Sequence, residues 1–218
     1  TVGNLPPTGA LGKFEPRVYF GENVPDYSII GGVKTDTPVE FDYPDDTSAN
    51  GQRNYTYSGS GGVPIGSLLN KAVFALKYQE QRILLSNLIN KDSKILFERN
   101  PRDRVAKVAP WLTLDGDPYP ALVDGKIMWI IDGYTTSAGY PYARQTVLSN
   151  ATADALTTNS ASIASQRNQS VNYIRNSVKA TVDAYNGTVT LYQWDEKDPV
   201  LKTWSKAFPG AITPKSEI

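Results

Sequence analysis

The 218-residue chain has no histidine and no cysteine, 40% of its residues are apolar, and 22 basic residues balance 22 acidic ones. This is the composition of a globular protein, and it excludes disulfides, thiol catalysis, cysteine-bound metal and the Ser-His-Asp triad. The formal net charge of zero gives no overall attraction to nucleic acid, which is therefore not expected as a partner. The sequence predicts a protein that is not an enzyme and has no cofactor.

The N-terminal residues indicate a soluble chain cut from a longer protein. No stretch approaches about 18 consecutive apolar residues, which predicts a soluble chain. The sequence starts at Thr1 rather than at methionine, and glycine and proline follow within the first seven residues, which is typical of a segment cut from a longer protein. We expect residues 1–218 to form a single domain, with an extended lead-in over 1–16.

Short apolar runs between residues 17 and 43, separated by glycine, proline and asparagine, predict strands. These runs cover 18–20, 27–30 and 39–43. Residues 44–64 are rich in Asp, Ser, Gly and Asn, and they predict a long loop.

Apolar residues then recur at helical spacing between residues 65 and 89. The spacing predicts one long helix over about 65–89, either continuous or bent or broken near the polar residues 79–81. A short apolar run predicts a strand at 95–97. Next, Asn100 and Pro101 have the chemistry of a helix start, which predicts a shorter helix over about 101–109.

Two dipeptides that end in glycine predict hairpins in the C-terminal half of the chain. Asp124-Gly125 suits a type I′ turn, which needs positive φ at both central residues, and Asn186-Gly187 predicts a second hairpin of the same kind. Residues 149–170 lack a periodic face and predict a mobile insertion, whereas 198–208 predict a terminal helix. Because helices and strands are segregated along the chain, the fold class is expected to be α+β with mainly antiparallel sheet.

The acidic residues offer two kinds of chemistry. Asp115 and Asp117, or the cluster 195–198, could supply some of the oxygens that a divalent cation such as calcium requires, although turns and helix caps use the same residues. Carboxylate-dependent hydrolysis needs two facing acids. The available acids are Asp115, Asp117, Asp124, Asp132 and Asp195. A Ser-Lys mechanism has only Ser67 near Lys71 and the run 91–94 to draw on.

Basic and aromatic residues offer binding surfaces. Arg102 and Arg104 lie in a basic stretch that could meet an anionic lipid or polymer, or pair with the acidic segment 15–50. Four aromatic residues fall in a stretch interrupted by Ser, Gly and Pro, and they could stack on sugars or on a protein, or fill the core. These are Trp129, Tyr134, Tyr140 and Tyr142.

Several motifs, in order from about Arg17 to Gly210, resemble Uncharacterised Protein Family 0182. They are Glu40-Phe41-Asp42-Tyr43-Pro44, Gly61-Gly62-Val63-Pro64, Arg99-Asn100-Pro101-Arg102-Asp103-Arg104-Val105, Asp117-Pro118-Tyr119-Pro120, Trp129-Ile130-Ile131-Asp132-Gly133-Tyr134-Thr135-Thr136 and Asn172-Tyr173-Ile174-Arg175-Asn176-Ser177-Val178-Lys179. The resemblance implies a bacterial parent with several N-terminal membrane-spanning helices and a large extracytoplasmic region. It carries over no catalytic residue.

The leading hypothesis is a non-catalytic domain on the extracytoplasmic side of the bacterial cell membrane, as part of a multi-pass membrane protein. Its expected partners are the membrane-embedded part of the parent and an envelope component or a partner subunit. Two alternatives stay open: a carboxylate-dependent envelope hydrolase, and a structural module through which the parent forms a homo-oligomer.

Overall fold

The computed structural model describes residues 12–32, 40–148 and 169–217. The described residues divide into two compact units. The first lies within Thr1–Asn100, Asp124–Ile127 and Ala184–Gly187, and the second within Pro101–Val123, Met128–Asp183 and Thr188–Ile218. Each unit is made of three separate segments of the chain, so neither is one continuous stretch of sequence. The expectation of a single domain stays a prediction. Residues 1–11 of the lead-in and 149–168 of the insertion lie outside the described residues.

The strands of the first unit form two small antiparallel sheets. In chain order they are β1 (Tyr27–Gly31), β2 (Glu40–Pro44), β3 (Gln52–Tyr55), β4 (Val63–Pro64) and β5 (Ser93–Phe97). β5 lies between β1 and β4, and β2 pairs with β3. The strands predicted at 27–30, 39–43 and 95–97 are thus confirmed in their described residues.

Two predictions in this unit were wrong. Residues 18–20 are not a strand, because the amides of Tyr19 and Phe20 both donate to the single carbonyl of Ala184 instead of to a neighbouring strand. Residues 44–64 are not one long loop, since they contain β3 and β4. Polar composition concealed β3, whose four residues are Gln52–Tyr55.

The apolar stretch 65–89 is broken, which was one of the two predicted alternatives. It forms α1 (Leu68–Tyr78) and the single turn α2 (Arg82–Leu85). Ser67 caps the N-terminus of α1 by accepting a hydrogen bond from the Asn70 amide. At the other end Gln79 takes a left-handed conformation, with φ 53°, and stops the helix.

The second unit is built on one larger sheet. Its strands are β6 (Thr113–Leu114), β7 (Tyr119–Val123), β8 (Lys126–Ser137), β9 (Thr146–Val147), β10 (Ser170–Val171), β11 (Tyr173–Asp183) and β12 (Val189–Gln193). The order is β12-β11-β8-β6, with β7 also on β8, while β9 and β10 form a separate pair. α3 (Pro101–Val108) and α4 (Pro199–Ala207) confirm both predicted short helices.

Each unit has its own apolar core. In the second unit, Val105 of α3 and Leu201 of α4 pack with Ile131 and Val178 from the centre of the sheet. In the first unit, one cluster contains Phe20 and Leu96, and another is made of isoleucines. Separate helices and antiparallel sheets confirm the α+β class.

The two hairpins differ in their turns. Asp124 and Gly125 have φ values of 48° and 73°, as the predicted type I′ turn requires. The β11–β12 hairpin is present, but its turn is not of this kind, because Gly187 (φ 72°) has positive φ and Asn186 does not. The Asp183 amide donates to Thr188 at 3.0 Å, and this closes a longer loop in which glycine alone takes the left-handed conformation.

Replacing Gly187 by alanine should destabilise the protein more than replacing Gly125. Both glycines have positive φ, so either change costs about 1–2 kcal/mol of backbone strain. At 187 the new Cβ would also lie 2.4 Å from Cζ of the buried Phe20, whereas at 125 its nearest neighbour is 3.6 Å away. We expect a further loss of about 1–3 kcal/mol for Gly187→Ala, measured by denaturant unfolding. Equal losses for the two variants would contradict this packing.

Candidate functional site

Helix α1 carries apolar side chains on two opposite faces. Its inner face packs Phe74, Ala75 and Tyr78 against the isoleucine core of the first unit. The ring of Tyr78 stacks on that of Tyr27, with centroids 4.3 Å apart. The core residues beneath are Ile65, Ile83, Ile89 and Ile95. This face holds the helix on the unit.

The opposite face, here called the outer face, is exposed. It consists of Leu68, Leu69, Val73 and Leu76, whose exposed fractions are 74%, 73%, 54% and 81%. The spacing of these residues places them on one stripe of the helix. They were part of the apolar series on which the helix prediction was based, and such a series is ordinarily the core face. Here the aromatic face packs on the core instead.

The lysines of α1 are engaged away from the outer face. The Nζ atom of Lys71 donates to the carbonyl of Ile89 at 2.7 Å. Lys77 lies 3.5 Å from a carboxylate oxygen of Glu98 and 4.7 Å from the centre of the Phe97 ring. Helices with apolar residues on both sides are ordinarily covered by protein or lipid on both sides. The outer face is therefore the candidate functional site.

The four aromatic residues that the sequence proposed for ligand binding have separate surroundings. Trp129 is half-buried against the core of the second unit, and Tyr134 donates to Asp115 at 3.1 Å. Tyr140 stacks on Tyr173 at 5.2 Å, and Tyr142 is fully exposed. Among the described residues no two of the four rings stack on each other. A shared role in ligand binding stays a prediction.

Asp115 is the centre of several of these contacts. Its carboxylate accepts hydrogen bonds from the Asp117 amide at 3.0 Å and from the Tyr134 hydroxyl. Burial, and next the nearby Asp115 carboxylate, raise the pKa of Tyr134, so its hydroxyl stays a donor. The backbone carbonyl of Asp115 accepts from Nε of Arg102 at 3.1 Å. Arg104, also of α3, is half-buried and has interactions of its own.

The described ranges contain no group of three or more acidic side chains placed to hold a metal ion. The cation site at Asp115 and Asp117 therefore stays a prediction. In the second acidic cluster, Asp195 forms an ion pair with Arg175 at 3.1 Å, while Asp198 is fully buried. Ser67, the serine that the sequence offered for a Ser-Lys mechanism, has a structural role instead, because its side chain caps α1.

The surroundings of Asp198 were not predicted beyond its place at a helix start. Its carboxylate accepts from the hydroxyls of Thr135, Ser177 and Tyr173, each at 2.5 Å, and from the Val200 amide at 2.9 Å. Burial favours a higher pKa for Asp198, but these donors outweigh it and lower the pKa. Asp198 is a buried anion that joins α4 to β8 and β11.

Mixed helices and antiparallel sheets thus define an α+β chain whose candidate site is the outward apolar face of a helix. The model of the uncharacterised protein family UPF0182 matches residues 1–218. The chain belongs to this family, as the motifs in its sequence indicated.

Curated relatives from several bacteria share half or more of their aligned residues with this chain. A UPF0182 protein of Frankia casuarinae is 58% identical over 217 residues, which are 100% of this chain and 21% of the relative. One of Streptomyces coelicolor is 54% identical over 220 residues, with 100% and 21% covered, and one of Clavibacter michiganensis is 50% identical over 214 residues, with 98% and 21% covered. The chain spans about a fifth of their length.

No solved structure matches the chain. Within its described part, no helix is long and apolar enough to cross a membrane.

Replacing Asp198 by asparagine should cost about 2–3 kcal/mol of stability, because four donors lose a charged acceptor. The loss should depend on pH. Since the pKa of folded Asp198 lies below its ordinary value of 3.8, its contribution is complete above that pH and is lost as pH falls through the folded-state pKa. Urea unfolding of both proteins should therefore give a constant difference between about pH 5 and 7, and a smaller one below about pH 4.

The matched control is Asp195→Asn, which removes a charge from a partly exposed ion pair and should cost less than about 1 kcal/mol. A difference between wild type and Asp198→Asn that does not change with pH would show that the charge of Asp198 is not what stabilises the unit.

Proposed function

We propose that this chain is a non-catalytic docking domain of a longer bacterial membrane protein. In this proposal it lies on the extracytoplasmic side of the cell membrane, and the outer face of α1 binds the membrane-embedded part of the same protein. The exposure of Leu68, Leu69, Val73 and Leu76 is the observation that carries the proposal. Contiguous apolar surface of this kind marks interaction sites.

The length of the relatives supports a partner within the same protein. The chain covers only 20–22% of the relatives it matches, so most of each relative lies outside it. In the 218-residue chain alone, a face that the rest of the protein would cover is exposed to solvent, as the outer face of α1 is. Fully burying one leucine or valine contributes about 1.5–3 kcal/mol, so the four side chains would give a stable attachment.

Charge favours a protein partner over a lipid surface at this face. Helices that lie on a membrane surface carry free lysine and arginine beside their apolar stripe. In α1, Lys71 is held by the Ile89 carbonyl and Lys77 by Glu98. An uncharged leucine stripe instead resembles the centre of a protein interface.

The surroundings of the acids support a non-catalytic role. Asp124 is the first residue of the β7–β8 turn, and Asp132 forms an ion pair with Lys179. Asp195 pairs with Arg175. Each of these acids, which the sequence offered for hydrolysis, thus has a structural role that accounts for it.

The double variant Leu69→Gln, Leu76→Gln should affect the full-length protein far more than the 218-residue chain. In the chain alone both leucines are exposed, so each change should shift stability by less than about 0.5 kcal/mol. In the full-length protein each should cost about 1.5–3 kcal/mol of buried apolar contact. Melting temperatures of both forms, with and without the changes, test this. Leu122→Gln, at a leucine of the second unit that is 38% exposed, is the control and should shift both forms by the same amount.

Photo-crosslinking identifies what covers the face. A photoreactive phenylalanine analogue at position 69 of the full-length protein should crosslink to segments outside the 218 residues, more than the same analogue at position 122. Crosslinks to the same face of a second molecule would overturn the proposal in favour of an oligomerisation module. Crosslinks to lipid alone, or none above the control, would also overturn it.

A further inference from the structure

A second apolar feature of the first unit is a groove between β1 and the segment that contains α2. The groove has a volume of about 820 Å³, within the range of about 300–1,000 Å³ found for small-molecule sites. Its walls include Tyr27 and Ile29 from β1, and Ile83, Leu88 and Ile89 from the other side. None of these residues belongs to the outer face of α1.

The groove has a buried apolar floor and an exposed apolar edge. Ile83 and Ile89 are almost fully buried and belong to the isoleucine core, whereas Leu88 at the edge is 86% exposed. Leu85, the last residue of α2, is also exposed at 73% but is not among the residues that line the groove. An elongated apolar ligand would bury Leu88 and cover the half-buried side chains of Tyr27 and Ile29, which also line the groove.

The rim carries one charge of each sign. Arg82 and Glu80 both line the groove, and Nε of Arg82 lies 4.0 Å from a carboxylate oxygen of Glu80. The Arg82 side chain is 93% exposed, so most of its guanidinium faces solvent. A third charged residue of the wall, Glu40, directs its carboxylate to the amides of Gly31 and Tyr57.

We propose that this groove binds a linear alkyl chain that carries a zwitterionic head. The alkyl chain lies on Tyr27, Ile29 and Leu88, above the buried isoleucines, and the head stays at the rim. There Arg82 binds the anionic group of the head and Glu80 its cationic group. An opposite arrangement of charges in the ligand complements the pair better than a head of one sign, which would be repelled by one of the two residues. The proposal does not rest on the docking of α1, since it uses other residues.

The test uses dodecylphosphocholine below its critical micelle concentration and the 218-residue chain, with binding followed by isothermal titration calorimetry. Ser86 lines the groove and is half-buried, so Ser86→Phe fills the groove from its wall without enlarging a core residue. Each methylene that is kept out costs about fourfold in affinity. Ser86→Phe should therefore weaken binding by roughly tenfold or more.

Ser86→Ala is the matched control, because both variants lose the hydrogen bond from the Leu88 amide to Ser86 Oγ and only phenylalanine fills the groove. Ser86→Ala should bind as wild type does. A second matched pair is Leu88→Asp, which places a charge at the groove edge and should weaken binding, and Leu85→Asp, which should not. Equal binding by Ser86→Phe and Ser86→Ala, or no saturable binding by wild type, would overturn the proposal.

The head is tested with lauric acid and dodecylamine, which carry alkyl chains of similar length and one charge each. Both should bind about two- to fivefold more weakly than dodecylphosphocholine, as exposed ion pairs contribute little. Arg82→Gln should reduce this preference. Equal affinity for the three compounds would overturn the assignment of a zwitterionic head.

The outcome is separable from that of the docking proposal. Leu69→Gln, Leu76→Gln should leave dodecylphosphocholine binding unchanged, and Ser86→Phe should leave the crosslinks from position 69 unchanged. If the double variant abolished dodecylphosphocholine binding, the ligand would lie on the outer face rather than in the groove.

Discussion

The second unit depends on a negative charge that is fully removed from solvent. The Asp198 carboxylate receives hydroxyl groups from β8 and β11 while it caps α4. A buried charge is tolerated only when its hydrogen-bonding capacity is filled, so the positions of Thr135, Ser177 and Tyr173 are fixed together. The register shift between Asn176 and Val178 lies at one of these donors, Ser177. The irregularity in β11 and the start of α4 are therefore connected through the hydrogen bond between Ser177 and Asp198.

How far the sequence predicts the fold depends on whether a signal is local. Asp124-Gly125 predicts its turn correctly because the two residues themselves must have positive φ. The turn at Asn186-Gly187 depends also on where the β11–β12 ladder ends, which the dipeptide does not encode. Similarly, the residue types at 198 and 199 predict a helix start, but the three hydroxyl donors to Asp198 are 21 to 63 residues away in the chain.

The candidate site shows the same limit. Helical spacing predicts a helix across 68–78, yet α1 has two apolar series and periodicity cannot decide which one packs on the core. Aromatic side chains bury large areas and pair with other rings. Tyr78 stacks on Tyr27, and the ring of Phe74 lies 5.7 Å from that of Phe97 at an angle of 53°. Their packing leaves the leucines outside. The sequence signal for this arrangement is the presence of apolar residues on both sides of one short helix.

The absence of charge from the outer face of α1 has a consequence for how temperature and salt would act on the longer protein. An attachment made by leucine and valine draws on the hydrophobic effect, whose driving force near room temperature is entropic and weakens on cooling. Screening by simple salts has little to act on at such a contact, while sulfate and phosphate strengthen it. The proposed junction would therefore loosen in the cold and tighten in strongly salting-out buffers, the reverse of a joint made from ion pairs.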